Sequence, residues 1–459
     1  MTLADDAPTR ASGRWWLEGN FAPVEDEIEV YDLEVTGSLP PGICGRFFRN
    51  GPNPVSGDTP HWFFGNGMLH GVRLRDGRAE WYRNRYVKTP RYHDPGVQMV
   101  GDDGTIDRTA SAANTHVVRH GGRILALEEG HFPWEVTPDL DTVDAVDFGG
   151  GLDTAFTAHP KICPETGEML AFGYGFLPPY LVYYRIGPDG VVRQRTEIEV
   201  PGPTMMHDFN TTRNHVVFMD LPVVFDLELA LQGTMPYRWD EEYGARLGVL
   251  PRDGAADDIR WFEVEPCFVF HPLNAYEDGD RIVVDTCRYP EMWKDDPGSF
   301  DQDPATLHRW EIDLTAGRVR EEPLDERPSE FPRVDERRVG LRHRFGYAAA
   351  SGDGGPGTAI LRYDLASSTT EVHDFGPGRH PGEPVFVPSG AEAAEGDGYV
   401  LSFVYDRADD RSRVELLAAE DFAGEPLATV HLPRRVPYGF HGSFIPDDDG
   451  QGEERVTRG

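Results

Sequence analysis

Three histidines in this chain each precede a short strand–turn–strand unit, and this repeat constrains the fold more than any other sequence feature. After His159, His207 and His271, the polar turns fall at 165–167, 213–214 and 277–280, and the apolar strands at 169–172, 216–219 and 282–284. A fourth histidine, His441, lies between Phe440 and Gly442 near the end of the chain. Neutral imidazole is a good ligand for first-row transition metals, so we predict that the four histidines form one metal site. The fold must therefore bring together residues that are far apart in sequence.

The pattern of short strands predicts an all-β protein. Apolar or alternating runs recur along the chain and are closed by Gly, Asp-Gly or Asn. Only two short stretches, 225–232 and 241–247, have helical periodicity. The regular alternation of helices that a TIM barrel needs is therefore missing.

The spacing of the strand–turn–strand units favours a β-propeller. Thr115, His159, His207 and His271 are separated by 44, 48 and 64 positions, and the first two spacings match the length of a four-stranded blade. Blades arranged around an axis direct their inner strands toward it, so residues distant in sequence converge there. No Pro-, Ser- or charge-rich linker divides the chain, and we predict a single domain over residues 1–459 with frayed ends.

Charge and cysteine content limit the partners and the compartment. The formal net charge of −35 argues against binding to nucleic acid or to anionic lipid, whose phosphates would repel the protein. The four cysteines have no CxxC spacing, the first residues have no apolar signal region, and no apolar run is long enough to span a membrane. We therefore expect a cytoplasmic protein without an obligate protein partner.

A site of four neutral histidines needs carboxylates behind it, because the imidazoles leave the charge of a divalent ion uncompensated. Three glutamates at the ends or starts of predicted strands are candidates: Glu129, Glu330 and Glu383. Composition does not exclude four further histidines in similarly apolar settings: His61, His70, His116 and His215.

Ten ordered motifs resemble those of the carotenoid cleavage oxygenases, the superfamily of bacterial apocarotenoid oxygenases, lignostilbene dioxygenases and retinal pigment epithelial membrane proteins. The motifs are 47–54, 61–70, 114–115, 125–130, 158–160, 206–209 with 220–222, 270–277, 330–333, 383–388 and 440–442. The resemblance extends from about residue 26 to residue 444, nearly the whole chain.

This resemblance implies a seven-bladed propeller with loops and short helices over one face and one Fe(II) per chain on the axis. Its implied ligands are His159, His207, His271 and His441. Glu129, Glu330 and Glu383 are then expected to bond to His207, His271 and His441 respectively, which leaves His159 without a glutamate partner. Thr115 resembles a family threonine that stands beside an open coordination position.

The activity that the resemblance implies is the use of O2 to split one C=C bond of a carotenoid or apocarotenoid into two carbonyl products. An alternative is the same cleavage of a hydroxystilbene or phenylpropanoid. That branch usually has a lysine where this chain has Glu128, which disfavours a phenolate substrate. Asn66, where the family more often has Asp, touches no expected ligand. A second alternative is a metal-bearing scaffold without catalysis, although a scaffold has no use for open metal positions.

Two apolar segments beside the His207 unit indicate where a hydrophobic substrate could enter the protein. Residues 176–182 and 221–225, continued by Leu227, Leu229 and Leu231, are long enough to form an apolar rim. Such a rim predicts weak peripheral contact with neutral membranes. The alternative is that these segments are buried strands.

Overall fold

The computed structural model describes residues 13–97, 99–101, 105–352 and 355–447. Within these ranges the strands form the seven antiparallel blades of a β-propeller, as predicted. Blade 1 contains Glu29–Tyr31, Gly45–Pro52, Gly67–Arg75, Arg78–Tyr86 and Gly442–Pro446. Blade 2 contains His116–His120, Arg123–Leu127, Trp134–Val136 and Thr142–Ala145. Blade 3 contains Lys161–Ile162, Met169–Tyr174, Leu181–Ile186 and Val192–Ile198.

Blades 4 to 7 are built in the same way. Blade 4 contains Phe209–Thr211, His215–Asp220, Arg246–Pro251 and Arg260–Glu263. Blade 5 contains Pro272–Asp278, Arg281–Arg288, Thr306–Asp313 and the first part of Arg318–Arg333. Blade 6 contains the end of that long strand with Phe345–Gly352, Gly355–Asp364 and Thr369–Asp374. Blade 7 contains Val35–Gly37, Arg379–Pro381, Val385–Pro388, Gly398–Asp406, Arg411–Ala418 and Ala428–His431.

Strands from the two ends of the chain pair with each other and join the first and last blades. Gly442–Pro446 lies antiparallel to Gly45–Pro52, with Phe47 opposite Phe444. In blade 7, Val35–Gly37 pairs with Ala428–His431. A Cβ at Gly442 would stand 2.3 Å from the Phe48 carbonyl oxygen, so this pairing requires a glycine there.

Aromatic rings pack between neighbouring blades and form much of the core. Phe47 of blade 1 stacks on Phe403 of blade 7, with ring centroids 4.7 Å apart. Phe172 of blade 3 meets Phe209 of blade 4 edge-on at 5.0 Å. Because each blade buries one face on the next, the central region is held rigidly by the packing around it.

Helices are short and lie in the connections. The α-helices are Pro90–His93 and Leu227–Leu231, and a further hairpin, Val223–Phe225 with Tyr237–Trp239, precedes and follows the second. The 3-10 helices are Trp15–Leu17, Gly19–Phe21, Trp62–Phe64, Ala256–Asp258, Glu336–Arg338 and Ala419–Asp421. In the described ranges no helix is long enough to cross a bilayer.

One of the two predicted helical stretches is wrong. Residues 227–231 are helical, and the Asp226 side chain caps the helix by accepting from the amides of Glu228 and Leu229. The stretch 241–247 instead leads into the strand Arg246–Pro251, which pairs with His215–Asp220. In the strand Arg246–Pro251, Leu247 and Val249 are buried on one face of the sheet. Pairing with the neighbouring strand therefore outweighs the local helical pattern.

Candidate metal centre

The four predicted histidines meet at one point of the propeller. Each histidine precedes the strand at one edge of its blade. His441 in blade 1 and His271 in blade 5 stand directly before that strand, and His159 in blade 3 and His207 in blade 4 stand two residues before it. One ring nitrogen from each lies within 4.8 Å of the others, and all four side chains are buried. The repeated strand–turn–strand units therefore bring together a group of residues that could hold a metal ion.

The ring nitrogens of this cluster are arranged as a cation requires. The Nε2 atoms of His159 and His207 are 3.1 Å apart, as are those of His207 and His271. In His271 and His441 the other ring nitrogen, Nδ1, bonds to a carboxylate, which leaves Nε2 as a bare lone pair. Lone pairs that face one another repel unless a cation lies between them. Two nitrogens bound at right angles, each about 2.1 Å from one ion, would be about 3.0 Å apart, so the spacing fits a shared metal.

Three of the rings are held by glutamates in the expected pairs. His271 Nδ1 donates to Glu330 Oε2 at 2.6 Å, and His441 Nδ1 donates to Glu383 Oε1 at 2.8 Å. His207 Nδ1 lies against Glu129 Oε1. These carboxylates fix which nitrogen of each ring faces the centre and supply negative charge behind the neutral rings.

The glutamates are themselves anchored. Glu383 Oε2 accepts from Arg333 Nη1 at 2.9 Å and from the Gly442 amide at 2.8 Å. Glu129 accepts from the Tyr174 hydroxyl through its second oxygen. Burial opposes the charge of Arg333, but Glu383 and Glu336 hold the pKa of its guanidinium above its usual value. The orienting shell is thus a network whose members cannot move independently.

The protonation of two of the rings suits ligation. Burial holds the pKa of His159 and of His441 well below the usual value, so both are neutral at physiological pH. Burial also acts to lower the pKa of His271, but the charge and hydrogen bond of Glu330 outweigh it and raise that pKa. A neutral imidazole presents the lone pair that a metal ion needs.

A carboxylate beside His159 was not predicted from the sequence. Asp208, directly after His207, has its Oδ2 3.8 Å from His159 Nδ1 and is fully buried. Lys161 Nζ lies 2.7 Å from Asp208 Oδ1. Burial raises the pKa of Asp208, and the Lys161 charge opposes that rise. The Met206-His-Asp-Phe209 motif contained this residue, but no spacing rule linked it to a histidine in another blade.

The remaining blades also direct residues at the axis. Thr115, before the edge strand of blade 2, is buried, and its carbonyl accepts from the His441 amide at 3.1 Å. Its hydroxyl donates to Asn114 Oδ1 at 3.0 Å. From blade 6, the Phe331 ring stacks on His271 at 5.3 Å, with Phe331 at φ 53°. A bulky residue rarely adopts this left-handed backbone, which indicates that the ring is forced into its place over the histidine.

The four further candidate histidines have other partners. His116 lies beside the cluster, 5.1 Å from the His441 ring, but its Nδ1 bonds to the Ala158 carbonyl at 2.9 Å. His61 bonds to the Gly298 carbonyl, His70 to the Tyr82 hydroxyl and His215 to Glu277. None of them belongs to the cluster in the part of the chain that the structure describes.

A large cavity leads to the cluster. Its volume is about 1800 Å³, and it is lined by His207, His271, His441, Thr115 and the three glutamates. Its walls are more apolar than polar and include the aromatic residues Trp62, Phe63, Phe270, Phe300, Phe331 and Phe440. A cavity of this size and character takes an elongated apolar molecule and limits the water that reaches the centre.

Glu128 gives the cavity wall one fixed negative charge. Burial would raise its pKa, but His131, the Gly130 amide and Arg91 lower it to about 2. The His131 ring Nδ1 contacts Glu128 Oε1. The carboxylate is therefore ionised at neutral pH.

The predicted apolar rim is divided by the structure. Leu181, Val182, Leu221, Val223 and Val224 are buried in strands and their connections. By contrast, Leu177, Leu227 and Leu231 are 57%, 63% and 80% exposed, and the first two also line the cavity. Phe176 stacks on Phe225 at 5.2 Å beneath them. The exposed part of the rim thus lies at a mouth of the cavity.

Comparison with known proteins gives a consistent result. The family model of the retinal pigment epithelial membrane protein matches residues 21–446. A carotenoid cleavage oxygenase of Mycobacterium tuberculosis is 40% identical, with 97% of this chain and 100% of that protein covered. The carotenoid 9,10(9',10')-cleavage dioxygenase 1 of Pisum sativum is 36% identical, with 95% and 91% covered.

A solved structure has the same architecture. The lignostilbene dioxygenase of Pseudomonas brassicacearum superposes with a TM-score of 0.86 at 30% identity, over 94% of this chain and 98% of that one.

Proposed function

The chain belongs to the retinal pigment epithelial membrane protein family, that of the carotenoid cleavage oxygenases, and from that premise we propose that it is an Fe(II)-dependent dioxygenase. In this proposal it uses O2 to cleave one C=C bond of a carotenoid or apocarotenoid into two carbonyl products. The observation that carries the proposal is the four-histidine cluster, backed by carboxylates, at the end of a large aromatic cavity.

The donor set fits iron. His159, His207, His271 and His441 would hold the ion through neutral imidazole nitrogens, which suit iron among the first-row metals. Thr115 lines the cavity and is bonded to the His441 backbone, so its side chain would lie near the bound iron on the side from which substrate enters. Bound iron would supply the O2-dependent redox chemistry of the cleavage.

The protein's own residues position the groups and keep water out. Glu129, Glu330 and Glu383 orient three rings, while Asp208 stands beside the fourth. Phe331 covers the His271 ring from the cavity side, and Phe63 packs edge-on against both Phe270 and Phe440. The aromatic walls restrict a linear polyene to a few orientations. Alkene cleavage needs no side chain as a general base, and we assign none.

A hydroxystilbene or phenylpropanoid is the second candidate substrate. The similarity to a lignostilbene dioxygenase supports it. Glu128 on the cavity wall does not favour it, because an ionised carboxylate gives a phenolate no attractive partner. We therefore favour the polyene.

The exposed leucines at the cavity mouth suggest how a polyene arrives. We infer that Leu177, Leu227 and Leu231 touch the surface of neutral membranes weakly, while the net charge of −35 disfavours anionic lipid. A cytoplasmic location agrees with this route.

The test is an activity panel with metal analysis. Purified protein is loaded anaerobically with Fe(II), and O2 uptake is measured with apocarotenals of several lengths and with hydroxystilbenes. We expect about one iron per chain, with O2 uptake and two carbonyl products from an apocarotenal. Uptake with the hydroxystilbenes alone would favour the second substrate class, and bound iron without uptake on any alkene would favour a scaffold.

A further inference from the structure

Arg49 is a buried cation on the cavity wall whose guanidinium forms no hydrogen bond with the described residues. Its side chain comes from the blade 1 strand Gly45–Pro52 and is only 6% exposed. Within the described part of the chain no hydrogen bond or ion pair reaches the guanidinium, and its Nε is fully enclosed. A buried charge without a partner is costly, so such a group marks a place where a ligand supplies the missing acceptor.

The neighbouring carboxylate of Glu383 is bonded to other groups and accepts no hydrogen bond from Arg49. Burial lowers the pKa of Arg49 to about 10, while the negative charge of Glu383 acts to raise it. Arg49 therefore stays charged at neutral pH. The two oxygens of Glu383 already accept from His441, Arg333 and the Gly442 amide. Since Arg49 lines the cavity, a ligand there can supply the acceptor that the protein does not.

The backbone is shaped to hold the guanidinium. A Cβ at Gly382 would stand 2.5 Å from Arg49 Nη1, and one at Gly439 would stand 3.3 Å from Arg49 Nε. Any other residue at Gly382 would displace the guanidinium from its place. These two glycines precede Glu383 and His441 by one and two residues, so the cation is tied to the metal centre through both loops.

The cavity residues around Arg49 are called the Tyr438 arm here. It consists of Arg49, His380, Tyr405, Arg407 and Tyr438. The Tyr438 ring lies 5.9 Å from Tyr405 and 6.3 Å from His380. His380 Nδ1 is occupied by the Pro356 and Gly357 carbonyls. This arm combines two arginines with aromatic ring faces, which suits an apolar chain that ends in a polar group.

We propose that the Tyr438 arm is a subsite for the oxygen-bearing end of a polyene ligand, with the Arg49 guanidinium recognising a terminal carboxylate. The guanidinium presents donors in the planar fork that matches a carboxylate, and the aromatic rings take the adjoining chain. An aldehyde oxygen accepts from the same donors with less energy, because it carries no charge. This assignment rests on the proposed function for its ligand class, but it concerns binding and not cleavage.

The test compares two probes that differ only at the terminus. Dissociation constants of all-trans-retinoic acid and of its methyl ester are measured by quenching of tryptophan fluorescence, with the Fe(II)-loaded protein under anaerobic conditions. We expect the acid to bind about 10-fold to 100-fold more tightly than the ester, as for a charge-assisted hydrogen bond. Equal affinity for the two probes in the wild-type protein would overturn the assignment.

Variants locate the preference. In Arg49→Met the acid should lose its advantage while the affinity for the ester changes by less than about twofold. Arg195→Met is the matched control, since Arg195 also lines the cavity but is paired with Asp153 and Glu197. It should keep the preference for the acid. An undiminished preference in Arg49→Met would contradict the proposal.

If circular dichroism shows that Arg49→Met does not fold, a milder variant takes its place. In Arg49→Lys the charge remains but the planar fork is lost, and the preference should fall at least about threefold. A preference equal to wild type in this variant would also overturn the assignment. Because binding is measured without turnover, the result stands apart from the cleavage activity: a protein that cleaves polyenes but binds both probes equally would refute this inference alone.

Discussion

Glu330 Oε2 accepts a 2.6 Å hydrogen bond from His271 Nδ1, in a pocket where both side chains are buried. This one contact fixes the ring tautomer, aims Nε2 at the centre and places a negative charge behind a ligand. The predictions for Glu330 and Asp208 below depend on such contacts between a carboxylate and a histidine of the cluster.

Replacing Glu330 with Gln should lower metal affinity by about 10-fold to 100-fold, because the ring loses an ionic acceptor but keeps its space. The affinity is measured by competition with a chelator. The control is Glu277→Gln, which removes a similar carboxylate from His215, at 2.9 Å, away from the cluster. Equal affinities in Glu330→Gln and Glu277→Gln would show that the Glu330 contact does not tune the metal.

We expect Asp208 to affect both the stability of the protein and its metal affinity, and two variants separate these effects. Asp208→Asn leaves the Lys161 ammonium without its carboxylate, so we expect a loss of about 1–3 kcal/mol in the free energy of unfolding. The double variant Asp208→Asn, Lys161→Met removes the uncompensated charge and should recover part of that stability. Metal affinity should be lower than wild type in both the single and the double variant, because the Asp208 carboxylate beside His159 is lost. Wild-type metal affinity in the double variant would mean that Asp208 serves only as the partner of Lys161.

The exposed leucines predict a weak membrane contact. Leu227→Asp, Leu231→Asp should reduce cosedimentation with neutral liposomes at least about threefold, because two apolar side chains no longer leave water. Val143→Asp changes a 54% exposed residue in blade 2, away from the cavity, and should have no effect. Anionic liposomes should bind less wild-type protein than neutral ones. Equal binding by both variants, or no binding by wild type, would exclude a membrane role for this helix.

The histidine cluster was accessible from sequence because its members share a local context. His159, His207 and His271 each begin a strand–turn–strand unit, and a propeller turns this repeat into convergence at one axis. The resemblance to a known family added the glutamate partners, and the structure places each of the three beside the expected ring. Whether the chain forms one domain over its whole length stays a prediction.

Other features depend on contacts between blades that no local pattern encodes. Asp208 approaches His159 only because blades 3 and 4 are adjacent, and Arg49 approaches Glu383 only because blade 7 packs on blade 1. The stretch 241–247 was assigned to a helix because its partner strand, His215–Asp220, is more than 20 residues away in sequence. For Leu221 and Val223 the alternative of buried strands is the one that holds, since an apolar run has the same pattern whether it is buried or exposed.

The central claim is that His159, His207, His271 and His441 together hold the iron that cleaves the alkene. The most direct measurement is iron content and O2-dependent cleavage of an apocarotenal for the four single His→Ala variants beside His116→Ala. His116 is the matched control because its ring lies 5.1 Å from that of His441 but bonds to the Ala158 carbonyl. We expect each of the four variants to remain folded and to lose iron and activity, while His116→Ala keeps both. Full iron occupancy in two or more of the four variants would contradict the assignment.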